Sequence, residues 1–251
     1  MSTPAVVSSR KYPCEECPIR KLKIFRQFAP EELSFVSRFK AGELSVDQRA
    51  TILQEGTSSA YLFTVLSGWA FRYKTLADGR RQILNFALPG DFLGLQASVF
   101  KEMSHSVEAL TNTLLCVFPR ERVWDLYRNH PNLSFDITWL ASREEQTLDQ
   151  NLLSVGRRVA IEKIAYLILH LHARARDVGL ATRTRFSPPI TQEHLADTLG
   201  MSIVHTNKTL RRLSERRLIR WKNRQLDILN PKGLQELAQW DARVDAIRPL
   251  I

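Results

Sequence analysis

Within the stretch from Val204 to Arg211, four side chains carry the chemistry that reads base-pair edges. Arg211 or Lys208 can donate to guanine O6 and N7, Asn207 can pair with adenine, and Val204 can pack on a thymine methyl. On a helix advancing about 100° per residue, Val204, Lys208 and Arg211 share one side, flanked by Asn207 and Arg212, while Thr206, Leu210 and Leu213 share the other. Ser202, Ile203 and His205 open the same helix and join the candidate contacts. Arg212, Arg216 and Arg217 suit phosphate clamps, which set affinity and its salt dependence. From Met201 to Gln225 there are eight basic residues and one acidic, Glu215, a local charge of 8 − 1 = +7. A solvated helix face mixes its signs to limit self-repulsion; this one does not.

A second constellation is Cys14 and Cys17, a CxxC pair, together with Cys116, the three cysteines of the chain. An odd, small number of cysteines is no disulfide framework and agrees with a reducing compartment. The types suit metal ligation, thiol redox chemistry or simple burial, and spacing alone leaves all three open. His170 and His172 lie about 200° apart on a helix and cannot both face one metal. The sequence holds no P-loop, nucleophile elbow, HExxH or dinucleotide glycine pattern, so no enzyme is expected.

The reading face needs a frame. Thr191 can cap a first helix with Leu195, Ala196 and Leu199 on its buried side, Gly200 permits a tight turn, and Ser202 can cap the second helix. That spacing is a helix-turn-helix, with Thr191 and Gln192 at the start of its first helix as further contacts. "LIRWKNRQLDIL" then reads as two short strands around Asn223, a wing whose Lys222 and Arg224 suit phosphate.

Upstream, from about Ala50 to Pro119, glycines punctuate strand-like runs such as "AYLFTVL", "WAFRYKTL" and "RQILNFAL", which predicts an antiparallel β-sandwich or barrel. Asp78 and Gly79 mark a two-residue hairpin turn within it. Between the two regions lie long helices. Ile137, Ala141, Leu148, Leu152 and Val155 fall at helical spacing, a stripe that could pair with a second copy or pack on its own domain. "RRVAIEKIAYLILHLHARAR" reads as a buried helix opening the C-terminal domain. The fold class is therefore α+β.

The chain of 251 residues has room for two modest domains. A formal charge of +10 and a pI of about 9.8 favour polyanionic partners. No apolar run approaches the roughly 20 residues that span a bilayer, and no secretory signal opens the chain, so a cytoplasmic protein without a membrane partner is expected.

"LPGDFLG" at 88–94, "CVFPRERV" at 116–123 and "ITQEHLADTLGMSIVHTNKTLRRL" at 190–213 occur in an order that resembles the CRP/FNR family of bacterial transcription regulators. The resemblance covers nearly the whole chain and is closer to the FNR-like branch. It implies an N-terminal arm with the CxxC (1–27), a cyclic-nucleotide-binding-like antiparallel β-barrel as sensor (28–123), a long dimerisation helix (124–155) and a C-terminal winged helix-turn-helix (157–251). It further implies a homodimer on a palindromic double-stranded DNA operator, DNA binding modulated through the sensor, and RNA polymerase as a partner if the protein activates.

Departures from the family pattern qualify the effector. Where the cyclic-AMP branch carries a glutamate and an arginine for ribose and phosphate, this sequence has Leu95 and His105; the lost bidentate contact speaks against cyclic AMP. Against the iron-sulfur branch, Cys14, Cys17 and Cys116 match three ligand positions and Lys23 stands at the fourth, an incomplete set for a four-thiolate cluster. An iron-sulfur cluster, a zinc or redox role for the thiol pair, and a structural arm are the resulting alternatives. Val204 and Lys208 replace the glutamate and arginine of familiar members, so their half-sites do not transfer. The competing function is a cyclic-nucleotide-type signalling module that regulates a partner protein without binding DNA.

Overall fold

The computed structural model describes residues 12–241 and 247–251. These form two units, one of residues 12–74, 86–144 and 247–251, the other of residues 75–85 and 145–241.

The first unit begins with a 3-10 turn at Cys14–Glu16 and the helix α1 (Pro30–Phe39), whose first turn carries Pro30 where a missing N–H is no loss. Eight strands follow along the chain, most of β5 lying in the stretch 75–85 of the second unit: β1 (Gly42–Val46), β2 (Thr51–Leu53), β3 (Tyr61–Ser67), β4 (Ala70–Thr75), β5 (Arg81–Ala87), β6 (Phe92–Leu93), then after α2 (Leu95–Phe100) β7 (Ser106–Ala109) and β8 (Thr113–Pro119). They make two four-stranded sheets, ordered β1-β8-β3-β6 and β2-β7-β4-β5. Leu44, Phe63, Val65, Ala70, Val107, Leu115 and Val117 meet in one core. Gly68 joins β3 to β4 at φ 88°, where a Cβ would lie 2.5 Å from the Asn112 carbonyl oxygen. The predicted antiparallel β unit is thus present, and it also includes α1 and β1, upstream of the expected start at Ala50. The turn at Asp78 holds three residues rather than two: Leu76 N–H bonds the Arg80 carbonyl and Gly79 takes φ 86°.

Next come α3 (Val123–Asn129) and α4 (Pro131–Arg157). The single helix expected over 124–155 is therefore two. Pro131 disfavours helical backbone at His130, which adopts φ −135°, ψ 76°, and then starts α4 itself. Ile137, expected in a shared stripe, is buried at 1% exposure, whereas Leu148, Leu152 and Val155 are exposed.

The second unit contains α5 (Ala160–Asp177), β9 (Arg185–Phe186), α6 (Gln192–Leu199), α7 (Ile203–Glu215), β10 (Ile219–Lys222), β11 (Gln225–Ile228) and α8 (Pro231–Ala238). α5 is buried over most of its length, as its apolar run predicts. His172 is satisfied by the Thr182 carbonyl at 2.9 Å, and His170 packs against Tyr166 and Trp240. Sequence reading missed β9, which pairs with β11, and α8, although Asn230 caps α8 and Pro231 opens it. Residues 75–85 belong to this unit, where Arg81 pairs with Asp197 at 2.8 Å and Gln82 donates to the Thr198 carbonyl. Residues 247–251 lie in the first unit, so the DNA-binding domain expected over 157–251 ends before them.

Candidate nucleic-acid interface

Side-chain caps fix the starts of α6 and α7. Thr191 Oγ1 accepts from the His194 N–H, Gly200 turns the chain at φ 62°, and Ser202 Oγ accepts from the His205 N–H at 3.2 Å. On the inner side Thr206, Thr209, Leu210 and Leu213 are buried; both threonines return their hydroxyls to carbonyls one turn back, which lets a polar residue sit in the core.

The outer side is as the angular sorting predicts. Ser202, Ile203, Val204, His205, Asn207, Lys208, Arg211 and Arg212 are exposed, Val204 at 79%. Exposed valine on a basic face has no role in the protein's own packing. Arg211 reaches one turn along the helix to Glu215 at 2.8 Å; both are exposed and the pair is weak, so it can exchange for another acceptor.

β10 and β11 form a two-stranded ribbon turned at Asn223 and Arg224, both left-handed at φ 52° and 62°. Lys222 and Arg224 project from it, exposed. Asp227 fastens the ribbon: it accepts from Arg185 Nε at 2.7 Å, Arg220 Nη2 at 2.9 Å and Gln225 Nε2 at 3.0 Å. The Arg185 bond first, then that of Arg220, holds its carboxyl below the usual range, down to about 2. Arg220 therefore serves the wing's own structure, while the other cations of the +7 stretch face outward.

Between the start of α6, the outer face of α7 and the wing runs a groove of about 520 Å³, lined among others by Thr191, Gln192, Asn207, Arg211, Lys222 and Arg224. It brings together contacts nominated from three separate stretches. The groove also takes in Trp221, which sequence reading passed over; strand alternation with buried Ile219 was the available signal. Ser202, Ile203, Val204, His205, Lys208, Arg212, Arg216 and Arg217 do not line the groove; they lie on exposed surface of the same helix and its ends.

In the first unit, the positions compared with a nucleotide site carry no ribose or phosphate clamp. Burial, then the Arg72 charge, pushes the His105 imidazole down to about 4, so it is neutral. Arg72 is buried, forms an ion pair with Glu144 and donates to the Phe92 carbonyl at 2.9 Å.

Cys14, Cys17 and Cys116 do converge. All three are buried and line one pocket of about 30 Å³, roughly the liquid volume of one water. None is in a disulfide. Burial pushes the Cys116 thiol up to about 12, so without a metal it is protonated at neutral pH. Beside them the buried Lys40 ammonium donates to Glu43 and to the Tyr12 carbonyl. Among the described residues no three His, Cys, Asp or Glu side chains are placed to hold a metal ion. As the described residues stand, Cys14, Cys17 and Cys116 supply three thiols, one short of a four-thiolate cluster.

A capped helix-turn-helix with a wing, joined to a double-sheet sensor of the cyclic-nucleotide-binding type, defines a DNA-binding transcription regulator. Residues 43–130 match the cyclic nucleotide-binding domain and residues 162–237 the Crp-like helix-turn-helix domain. The transcriptional activatory protein AadR of Rhodopseudomonas palustris is 30% identical over 90% of this chain and 93% of its own. The nitrogen fixation regulation protein FixK of Bradyrhizobium diazoefficiens is likewise 30% identical, over 90% and 93%. The structure of FixK2 from Bradyrhizobium japonicum superposes with a TM-score of 0.72 at 25% identity, covering 80% of this chain and 98% of that one. The chain belongs to the CRP/FNR family, on its FNR-like side. These relatives are regulators rather than enzymes, and no helix among the described residues is long and apolar enough to cross a membrane.

Proposed function

We propose that the protein acts in the cytoplasm as a homodimer, each subunit laying α7 in the major groove of one half of a palindromic operator. The observation that carries this is the outer face of α7, where Val204, Asn207, Lys208 and Arg211 stand exposed and Asn207 and Arg211 line the groove shared with the wing. Gln192, Arg212, Arg216, Arg217, Lys222 and Arg224 hold phosphates, and the first four residues read bases. Exposed Leu148, Leu152 and Val155 at spacings of four and three supply a seam for the second copy. The names of relatives that are transcriptional activators support an activator; on this reading it meets RNA polymerase, and the first unit modulates DNA binding.

Selection of bound duplexes from random DNA tests the reading. A palindrome with half-site centres about one helical turn apart is expected. Lys208→Ala should then relax the preference at one position of each half-site, while Arg212→Ala weakens all sequences alike. Recovery of no consensus, or equal losses on matched and scrambled DNA for Lys208→Ala, would overturn it.

A further inference from the structure

Residues 247–251 are bound by the first unit as a peptide ligand would be. Arg248 N–H donates to the Ile24 carbonyl and the Arg248 carbonyl accepts from Arg26 N–H, both at 2.7 Å, so the segment adds a parallel bridge to the arm at Phe25. The Arg248 guanidinium donates to Asp91 Oδ1 at 2.8 Å and lies 5.4 Å from the centre of the Phe25 ring. That ring rests on Gly90, where any Cβ would come within 2.3 Å of it. Gly90 and Asp91 of the "LPGDFLG" turn thus build the seat for this arginine.

Beyond Arg248 the segment turns apolar and enters the sheet. Leu250 and Ile251 are 5% and 4% exposed, and the Thr64 hydroxyl donates to the Ile251 carbonyl. Thr64 and Cys116 are directly opposed in the β3–β8 register, so Ile251 is anchored beside that thiol. Leu250 and Ile251 form part of the wall of the pocket that Cys14, Cys17 and Cys116 share. Backbone pairing, a charged anchor and two apolar side chains in a pocket are the elements of sequence-selective peptide capture.

We infer that the sensor unit carries a peptide-binding site whose occupant is residues 247–251 of the same chain, and that this segment governs access to the Cys14, Cys17 and Cys116 thiols. While it is seated, small thiol reagents, oxidants and metal ions are excluded from the pocket. When it leaves, the pocket loses a wall and the thiols meet solvent.

Thiol labelling of the folded protein with a maleimide tests this. The full chain is expected to label slowly. Arg248→Ala and Leu250→Asp in the full chain, and a chain ending at residue 246, should label faster by about tenfold or more, equivalent to ~1.4 kcal/mol of protection. A synthetic peptide of residues 247–251 should restore protection to the shortened chain in a saturable way, and the same peptide with alanine for arginine should not. If the shortened chain does not fold, as judged by circular dichroism, the two full-length variants decide alone. Equal labelling rates in wild type and both variants would overturn the inference, as would a peptide that binds without slowing the reaction. Protection that rises with protein concentration would assign the segment to a second copy and overturn its placement in the same chain.

Discussion

Arg217 follows α7 with its backbone in the left-handed region, φ 53°, where an L-residue bearing a side chain costs about 1–2 kcal/mol. The surrounding bonds show why the position is needed. Leu218 N–H reaches back to the Leu213 carbonyl and Arg217 N–H to that of Ser214, the paired closure that helices usually make with glycine at this site. An arginine held there costs local stability and adds an exposed cation at the end of the helix that carries Arg212 and Arg216, the proposed phosphate contacts. Arg217→Gly is therefore expected to stabilise the second unit by about 1 kcal/mol while weakening its grip on every DNA sequence alike. Thermal unfolding and duplex titration read the two effects separately. A variant that gains stability and keeps full affinity would remove Arg217 from the phosphate contacts; one that loses stability would show that its side chain packs usefully where it stands.

The wing is the element whose integrity rests on one carboxylate. Asp227 is opposed by Arg185 and Arg220, and its carboxyl titrates at about 2. Because that is below the value near 3.9 of an unfolded aspartate, its contribution is complete above about 3.9 and disappears as pH falls through about 2. Asp227→Asn should accordingly loosen β9, β10 and β11 at neutral pH, with wild type and variant converging on strong acidification. Amide exchange of Ile219–Ile228 at the two ends of that range checks it, and equal protection at neutral pH would make the network idle. The sequence makes the ribbon legible through the alternation of Ile219, Trp221 and Leu226 with charged residues, yet leaves β9 and the role of Arg220 hidden. Two-residue β9 is fixed by pairing with β11 rather than by its own pattern, and Arg220 is one of eight cations until Asp227 is placed beside it. Helix α7 was the most legible element, since caps at Thr191 and Ser202 and a two-sided periodicity depend only on neighbours in the chain. The break before Pro131 follows from the restriction a proline imposes on the residue before it, yet the expectation of one helix over 124–155 ran across it. By contrast, the meeting of Cys14, Cys17 and Cys116 with Leu250 and Ile251 joins three stretches far apart in the chain, which no local pattern encodes.

At the scale of the whole molecule the chain carries a net charge of +10, and its binding should be governed by release of the counterions condensed on DNA. The logarithm of affinity then falls linearly with that of salt concentration, with a slope of roughly −0.9 for each phosphate neutralised. This law gives a way to count subunits on the operator. Arg212 is exposed on the same helix as the proposed reading face, and on that proposal it touches one phosphate per subunit. In a two-fold dimer Arg212→Ala removes two such contacts at once, and the slope should become shallower by about 1.8 rather than about 0.9. Anisotropy titrations of wild type and variant over a series of salt concentrations measure the difference directly, without relying on the self-association seen in free solution. A change near 0.9 would place a single subunit on the DNA and leave the exposed Leu148, Leu152 and Val155 stripe without the partner assigned to it; no change would take Arg212 off the backbone. The doubled value would tie the exposed stripe of α4 and the basic face of α7 to one symmetric assembly.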